Sequence, residues 1–397
     1  MPAKITVAHV ITRLEMGGAQ FNTLYTASHL DKNSFQAELI YGPGGIMDEK
    51  AAESGVSQHR VQCLTREVCP LKDAAALLAL RRLFMRLKPD VVHTHSSKAG
   101  ILGRLAAKAA GVPAIAHTFH GFGFTPGQSA PARLAFETAE RLCAPISDAL
   151  IFVSQANMDE ARSKGIGNPA RYRLIRSGIE LSRYPAKTDR AAKIASLGLR
   201  TVSGRQAALK PESRIVLTIG NLKPQKNPLD MVRIAALVCA AHPDAVFIFA
   251  GDGELRAETE RLVVGMGLQD NFFLPGWRAD GAELLSIADV YALSSLWEGL
   301  PRSLVEALKS GVPSVAYACD GVRDLLGSGG GAGYAIPIGP DAPRLAAEKI
   351  AALLADGGLL ARARKAALET DLQAFDMDFM VKQQESLYRE LLEAKKK

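Results

Sequence analysis

Short apolar runs rich in β-branched residues alternate along this chain with longer stretches whose apolar positions recur at helical spacing. The runs cover 5–11, 37–41, 91–93, 114–117 and 149–153, then 215–219, 246–250, 272–274, 290–293 and 314–316. Between them, 99–110, 228–241, 255–266 and 302–310 carry the helical pattern. Such alternation predicts βαβ units, and so an α/β protein with parallel sheets covered by helices on both faces. The pattern lapses once, between about 184 and 211, in a segment rich in Ala, Lys, Arg and Ser. The lapse divides the chain into a doubly wound domain over 1–185, a linker over 186–210 and a second doubly wound domain over 211–374. A last helix, within 375–397, lies beyond the second domain's final turn.

Ligands of open parallel sheets bind outside the carboxyl ends of the strands, where strand order reverses. Two Rossmann-like domains facing across a cleft would place the active site there, so the residues just after strands are the informative ones.

Composition narrows the function classes. With 397 residues, 48% hydrophobic and 22% charged, the chain can bury large cores. A net charge of +7 suits an anionic partner: nucleic acid, a membrane surface or a small phosphorylated substrate. Lys and Arg are scattered through helices, and the one compact run, Lys395, Lys396 and Lys397, reads as a solvated tail. Nucleic acid is therefore not an expected partner. Five separated cysteines without a C-x-x-C pair argue against a disulfide framework or structural zinc, and fit a reducing compartment. The run 5–11 is ended by Arg13 and Glu15, so it reads as a first strand rather than a signal peptide. No apolar run reaches the ~18 residues of a membrane span. The expected location is cytoplasmic.

After the first strand, Gly17 and Gly18 open a helix, an arrangement that lets backbone approach an anion. The G-x-G-x-x-G dinucleotide fingerprint is missing there, which counts against a nicotinamide oxidoreductase. Four histidines, His93, His95, His117 and His120, sit at the ends of two neighbouring strands. His93 and His95 are read as facing opposite sides of their strand, and no carboxylate or cysteine cluster accompanies them, so no metal site is expected. His93 and His117 read as buried structural residues, and His120, followed by Gly121, as the functional candidate. In the second half, Lys223 and Lys226 lie on a strand-to-helix turn suited to a diphosphate. The glycines around Asp252 mark another strand-to-helix turn, but a carboxylate is awkward beside a phosphate, so this loop reads as a tight connection.

Gly299 and Pro301 then open a helix running through Glu306. Backbone N–H groups near Arg302, Ser303 and Leu304 offer an anion site at its start. Glu306, one turn in, can accept from ribose hydroxyls, and Glu298, in the loop before, can reach a sugar. Asp376-Met377-Asp378 is a D-x-D, but at a helix start rather than after a central strand, so a metal role is not expected.

The segment from Glu298 to Glu306, followed by Ala307, resembles the E-x7-E signature of family 4 glycosyltransferases with the GT-B fold. The likeness extends to Gly17-Gly18-Ala19-Gln20, the two histidine loops, Gly178-Ile179-Glu180, the Lys226 turn, Gly251-Asp252-Gly253 and Gly311-Val312-Pro313. The stretch from His93 to Phe124 is most similar to bacterial transferases that build capsule, exopolysaccharide or lipopolysaccharide repeats. The resemblance implies retaining transfer from a nucleoside-diphosphate sugar, without a required metal or cofactor, to a saccharide or polyprenyl-linked saccharide acceptor. It implies that Glu306 holds the ribose, Glu298 the donor sugar and Lys226 the diphosphate. Gly17 and Gly18 would border the phosphates, and His120 would lie near the donor sugar. Asn221, Gly251 and Gly299, Leu300, Pro301, Arg302, Ser303 and Leu304 complete the implied donor site. The family often carries arginine where this chain has Asn221, an amide that cannot clamp a diphosphate as a guanidinium does; Lys223 is the candidate substitute. The last helix would pack back on the first domain. A nucleotide-sugar epimerase or hydrolase on the same architecture is the alternative enzyme, and a non-catalytic binding module leaves these residues unexplained. Basic helices carrying Arg81, Arg82, Arg86 and Lys88, or Arg104 and Lys108, suggest peripheral attachment to the anionic inner face of a plasma membrane.

Overall fold

A computed structural model describes residues 4–124, 127–207, 209–327 and 331–396. Lys397, the end of the expected lysine tail, lies outside the described residues. The chain forms two compact units, one of Met1–Gly178 with Gln373–Lys397 and one of Ile179–Leu372.

In the first unit the described strands are β1 (Ile5–Arg13), β2 (Phe35–Gly42), β3 (Ser57–Arg60), β4 (Val91–His95), β5 (Ala114–Phe119), β6 (Ala149–Phe152) and β7 (Tyr172–Leu174). They pair in parallel in the order β3-β2-β1-β4-β5-β6-β7, so strand order reverses between β1 and β4. Successive strand residues face opposite sides. Ala8, Val10, Val92 and Ile115 therefore join one core with Leu80, Phe84 and Ala106 of the flanking helices. Val7, Val91, Ala114 and Ile151 join another on the opposite face. That second core is closed by the C-terminal helix Met377–Lys396, through Met380, Val381, Leu387, Tyr388 and Leu391. Each such apolar side chain contributes about 1.5–3 kcal/mol when fully buried. Gly178 makes room for this helix, since a Cβ there would stand 2.7 Å from Met377 Cα. The D-x-D is a helix start: Asp376 Oδ1 accepts from the Asp378 and Phe379 N–H groups at 2.9 and 3.0 Å.

The second unit repeats the plan. Its described strands are β8 (Arg214–Ile219), β9 (Ala245–Ala250), β10 (Phe272–Gly276), β11 (Val290–Leu293), β12 (Ser314–Tyr317) and β13 (Gly333–Ile336). They pair in parallel in the order β10-β9-β8-β11-β12-β13, reversing between β8 and β11.

The segment 186–210, read from composition as a linker, belongs to this second unit and carries the helix Arg190–Ser196. Two of its basic residues, Arg190 and Lys193, are anchored, while Lys187, Arg200, Arg205 and Lys210 are exposed. Arg190 Nη2 pairs with Asp289 Oδ2 at 2.9 Å and Lys193 Nζ with Asp280 Oδ2 at 2.6 Å, while Ile194 and Leu197 are buried.

Candidate active site

The second sheet's reversal point gathers the loops that follow β8 and β11. The turn after β8 runs from Gly220 to Asn227, where Asn227 takes a left-handed φ of 47° before the helix Pro228–Ala241. The loop after β11 runs from Ser294 to Pro301 and leads into the helix Arg302–Lys309. The two are tied together by several hydrogen bonds. Ser294 Oγ donates to the carbonyls of Lys226 and Asn227 at 3.0 and 2.9 Å, and the Leu296 N–H donates to Gln225 O at 2.8 Å. Gln225 Nε2 donates to Trp297 O at 3.0 Å.

Within this frame Lys226 Nζ donates to Glu298 Oε1 at 2.5 Å, with both side chains largely buried. The Glu298 N–H donates to Asp320 Oδ2 at 2.7 Å. Burial raises the Asp320 carboxyl; the Glu298 N–H opposes that shift and the Glu298 carboxylate adds to it. Asp320 also holds a positive φ of 27°, so it is a backbone-strained brace for the Glu298 loop.

On the helix, Tyr291 Oη donates to Ser303 Oγ at 2.6 Å. Glu306 follows one turn after Arg302. Burial raises its carboxyl, opposed by the Arg302 charge, a hydrogen bond from Tyr184 and the charges of Arg183 and Lys226. The Leu304 N–H is bonded to Pro301 O at 3.0 Å. It is therefore not an open donor for an anion, a correction to the expected trio of Arg302, Ser303 and Leu304. Leu300 and Pro301 are buried, and Gly321 packs over Gly299, where a Cβ would come 2.8 Å from Gly299 O.

Gly251 has a packing reason of its own. Its φ is 158°, and a Cβ there would stand 1.8 Å from Gly220 O, so only glycine lets the loops after β8 and β9 pass. Gly220 likewise leaves space for the Lys226 stem, since a Cβ would meet Lys226 Cε at 3.1 Å. Asn221 is half-buried beside this crossing, and its carbonyl accepts from the Lys223 N–H at 2.9 Å.

The first sheet's reversal point is built the same way. Thr12 Oγ1, at the end of β1, lies 2.8 Å from Ser96 Oγ and accepts from the Ala99 N–H at 3.2 Å. Gly17 caps the helix Gly18–His29 with extended backbone.

The histidines gather here, with one correction. Residues two apart on a strand share a face, so His93 and His95 lie on the same side of β4, with ring centroids 4.2 Å apart. His9 of β1, paired in register with His93, joins them. It was missed in the sequence because it sits singly in an apolar strand, and that polar interruption was the one available signal. One nitrogen from each of His9, His93 and His95 lies within 4.8 Å of the others. Both nitrogens of His93 are already engaged, Nδ1 with Tyr388 Oη at 2.6 Å and Nε2 with Thr118 Oγ1 at 2.7 Å. His117 faces the opposite core and bonds Thr94 Oγ1 at 2.9 Å. His120, half-buried at the end of β5, bonds through Nε2 to His95 Nδ1 at 3.1 Å. Burial lowers the pKa of His9 to about 3 and holds His93, His95 and His117 well below the usual histidine range.

One expected surface cation is internal. Arg104, read as part of a basic face, is fully buried and pairs through Nη2 with Glu140 Oε2 at 2.5 Å. Arg81, Arg82, Arg86, Lys88 and Lys108 are exposed.

Two family models match the chain. One, described as a glycosyl transferase 4-like domain, covers residues 17–178, and the other, glycosyl transferases group 1, covers 201–370. A galactosyltransferase of Escherichia coli, named UDP-Gal:alpha-D-GlcNAc-diphosphoundecaprenol alpha-1,3-galactosyltransferase, is 33% identical over 328 residues, 82% of each chain. This chain belongs to the group 1 glycosyltransferases.

A putative glycosyltransferase of Bacillus subtilis, EpsD, is 26% identical over 68% of this glycosyltransferase and 69% of its own length. Among solved structures, Anabaena HepE in complex with UDP and glucose shares the fold at a TM-score of 0.80 with 20% identity, over 97% of this chain and 100% of that one. The lipopolysaccharide-biosynthesis glycosyltransferase WaaG does so at 0.73 with 15% identity, over 96% and 99%. The glycosyltransferase thus has the two Rossmann-like units that its strand pattern predicts. Its Glu298, Glu306 and Lys226 share one reversal point, and His120, Gly17 and Gly18 lie at the strand ends of the other sheet. Asp320 and Tyr184 were not legible as site residues, because each acts on a glutamate from a different part of the chain.

Proposed function

We propose that this glycosyltransferase moves a hexose from a UDP-sugar to a polyprenyl-diphosphate-linked saccharide, with retention at the anomeric carbon, in cell-surface polysaccharide synthesis. The observation that carries the reading is the buried Lys226–Glu298 pair at the sheet reversal, beside the helix that bears Glu306. The choice of donor and acceptor is supported by the Escherichia coli relative, whose name specifies UDP-galactose and a diphosphoundecaprenol-linked N-acetylglucosamine.

In this reading Glu306 accepts from the ribose hydroxyls, Lys226 carries the diphosphate and Glu298 holds the donor sugar. Gly17, Gly18, Asn221, Gly251 and the backbone of residues 299–303 border the donor. His120 is the first unit's catalytic group. The bond between the anomeric carbon and the diphosphate oxygen breaks, and the acceptor oxygen attacks from the same face. The acceptor's proton passes to the departing phosphate, whose charge Lys226 and the helix N-terminus stabilise. No metal is assigned a step.

The test is transfer from UDP-hexoses to a polyprenyl-diphosphate N-acetylhexosamine, with and without EDTA. Product with a retained linkage and equal turnover in EDTA is the expected result. Strict dependence on manganese would refute the metal-free step, and rapid donor consumption without acceptor would favour an epimerase or hydrolase.

The first unit also supports reversible binding to an anionic membrane. Arg81, Arg82 and Arg86 are exposed on the helix Pro70–Leu87 together with Leu71, Leu78 and Met85. Sedimentation with phosphatidylglycerol vesicles but not with phosphatidylcholine vesicles is expected; equal sedimentation with both would remove the proposal. Among the described residues no helix is long and apolar enough to cross a membrane.

A further inference from the structure

Sheet order puts the loop after β11 between two neighbours, since β11 pairs with β8 on one side and with β12 on the other. From the β8 side the loop is held by Gln225 and by Lys226, whose ammonium meets the Glu298 carboxylate. From the β12 side it is held by Asp320 and Gly321. The Glu298 N–H donates to Asp320 Oδ2 at 2.7 Å, and Gly321 lies against Gly299 and Leu300. Glu298 is thus fixed at two places, its side chain from one flank and its main chain from the other.

The main-chain hold is kept at a local cost. Asp320 has a φ of 27°, in the left-handed region where glycine is the unstrained choice. A glycine there would relieve the backbone but leave the Glu298 N–H without this acceptor. Such strain persists where the surrounding structure over-determines it, and it clusters at ligand sites. Asp320 also opens the helix Asp320–Leu326, whose N-cap, Cys319, makes no side-chain hydrogen bond. The carboxylate one residue on is turned to the neighbouring loop instead.

The two holds respond differently to a donor. A diphosphate that draws the Lys226 ammonium away, and a sugar that takes the Glu298 carboxylate, break the side-chain contact. They leave the bond from the Glu298 N–H in place, because it uses no group that meets the ligand. We propose that Asp320 is a positioning residue for the donor sugar, keeping the Glu298 main chain fixed while its side chain leaves Lys226 for the sugar hydroxyls. This role rests on the reading of Lys226 and Glu298 given above. It concerns the sugar end of the donor alone, so UDP and a UDP-hexose should feel the loss of Asp320 differently.

The experiment compares UDP with the UDP-hexose that the full chain transfers. Asp320→Gly relieves the backbone and removes the acceptor. It should keep the wild-type Tm or exceed it, bind UDP as the wild type does by calorimetry, and lower kcat/KM for the UDP-hexose about 10- to 100-fold. Asp320→Asn keeps an acceptor oxygen in a residue that tolerates left-handed backbone, and should restore most of that loss. A lowered Tm with equal losses of UDP binding and UDP-hexose transfer would make Asp320 a structural residue and overturn the proposal. Glu298→Gln tells the two readings apart. Where it lowers transfer and Asp320→Gly does not, Glu298 keeps its sugar role and the proposal for Asp320 falls. Where Glu298→Gln transfers as the wild type does, the sugar role of Glu298 falls and that of Asp320 with it. Should Asp320→Gly fail to fold, amide hydrogen exchange in the wild-type chain decides. The Glu298 N–H should exchange slowly both without ligand and saturated with UDP; rapid exchange in the UDP complex would overturn the proposal.

Discussion

Lys226 and Glu298 hold each other. The sequence suggests separate tasks for them, one on phosphate and one on sugar, yet their charged ends meet at 2.5 Å, both largely out of water. A lysine on one loop and a glutamate on the next thereby preorganise one another before any ligand arrives. Donor binding would loosen this contact and redirect the ammonium to phosphate.

Removing one partner strands the other's buried charge, so Lys226→Met and Glu298→Leu should each destabilise the second unit by about 3–5 kcal/mol. The double variant should lose clearly less than the sum, which a double-mutant cycle in urea will measure. Equal additive losses would mean the pair carries no coupling. Transfer by either single variant should fall by about 100- to 1000-fold, the usual loss when one charge-stabilising group is removed.

Glu306 is expected to report on acid. Burial raises its carboxyl above the ordinary glutamate range. The carboxylate proposed to accept from ribose is therefore lost sooner as pH falls. UDP affinity measured by calorimetry should weaken on the acid side at higher pH than an ordinary glutamate would give. Glu306→Gln should bind UDP more weakly, by about 10-fold, as expected for loss of a charge-assisted hydrogen bond, and should flatten that acid limb. An unchanged acid limb in Glu306→Gln would count against the ribose role.

The first unit should be acid-sensitive through His9, His93, His95 and His117. Burial lowers all four in the folded state, that of His9 to about 3. The unfolded chain takes up these protons near pH 6.5 and the folded chain does not. Stability is therefore complete above about pH 6.5 and falls as pH drops below it, by up to about 1.4 kcal/mol per pH unit for each histidine. Differential scanning calorimetry between pH 7.5 and 5 should show the Tm falling; a Tm that holds constant would mean these rings are not buried neutral.

Much of the fold was legible because strand and helix periodicity is a local property. The apolar strands at the centre of each sheet stand out in the sequence. β3, β7 and β13 do not: they lie at sheet edges, and β3 reads Ser57-Gln58-His59-Arg60, with no apolar run. The segment 186–210 was misread for a related reason, since composition reports charge but not the partner that neutralises it. Arg104 shows the same limit, a lone arginine in a helical pattern whose partner Glu140 lies in another helix.

The sequence by itself determined the two α/β units, the loops that follow their strands, and the candidate set Glu298, Glu306, Lys226 and His120. Only the tertiary structure decided which of them meet. Lys226 and Glu298 are 72 residues apart, His9 and His95 are 86 apart, and His93 reaches Tyr388 across 295. Sheet order and register bring such pairs together, and these follow from packing over the whole unit rather than from any local pattern of residues.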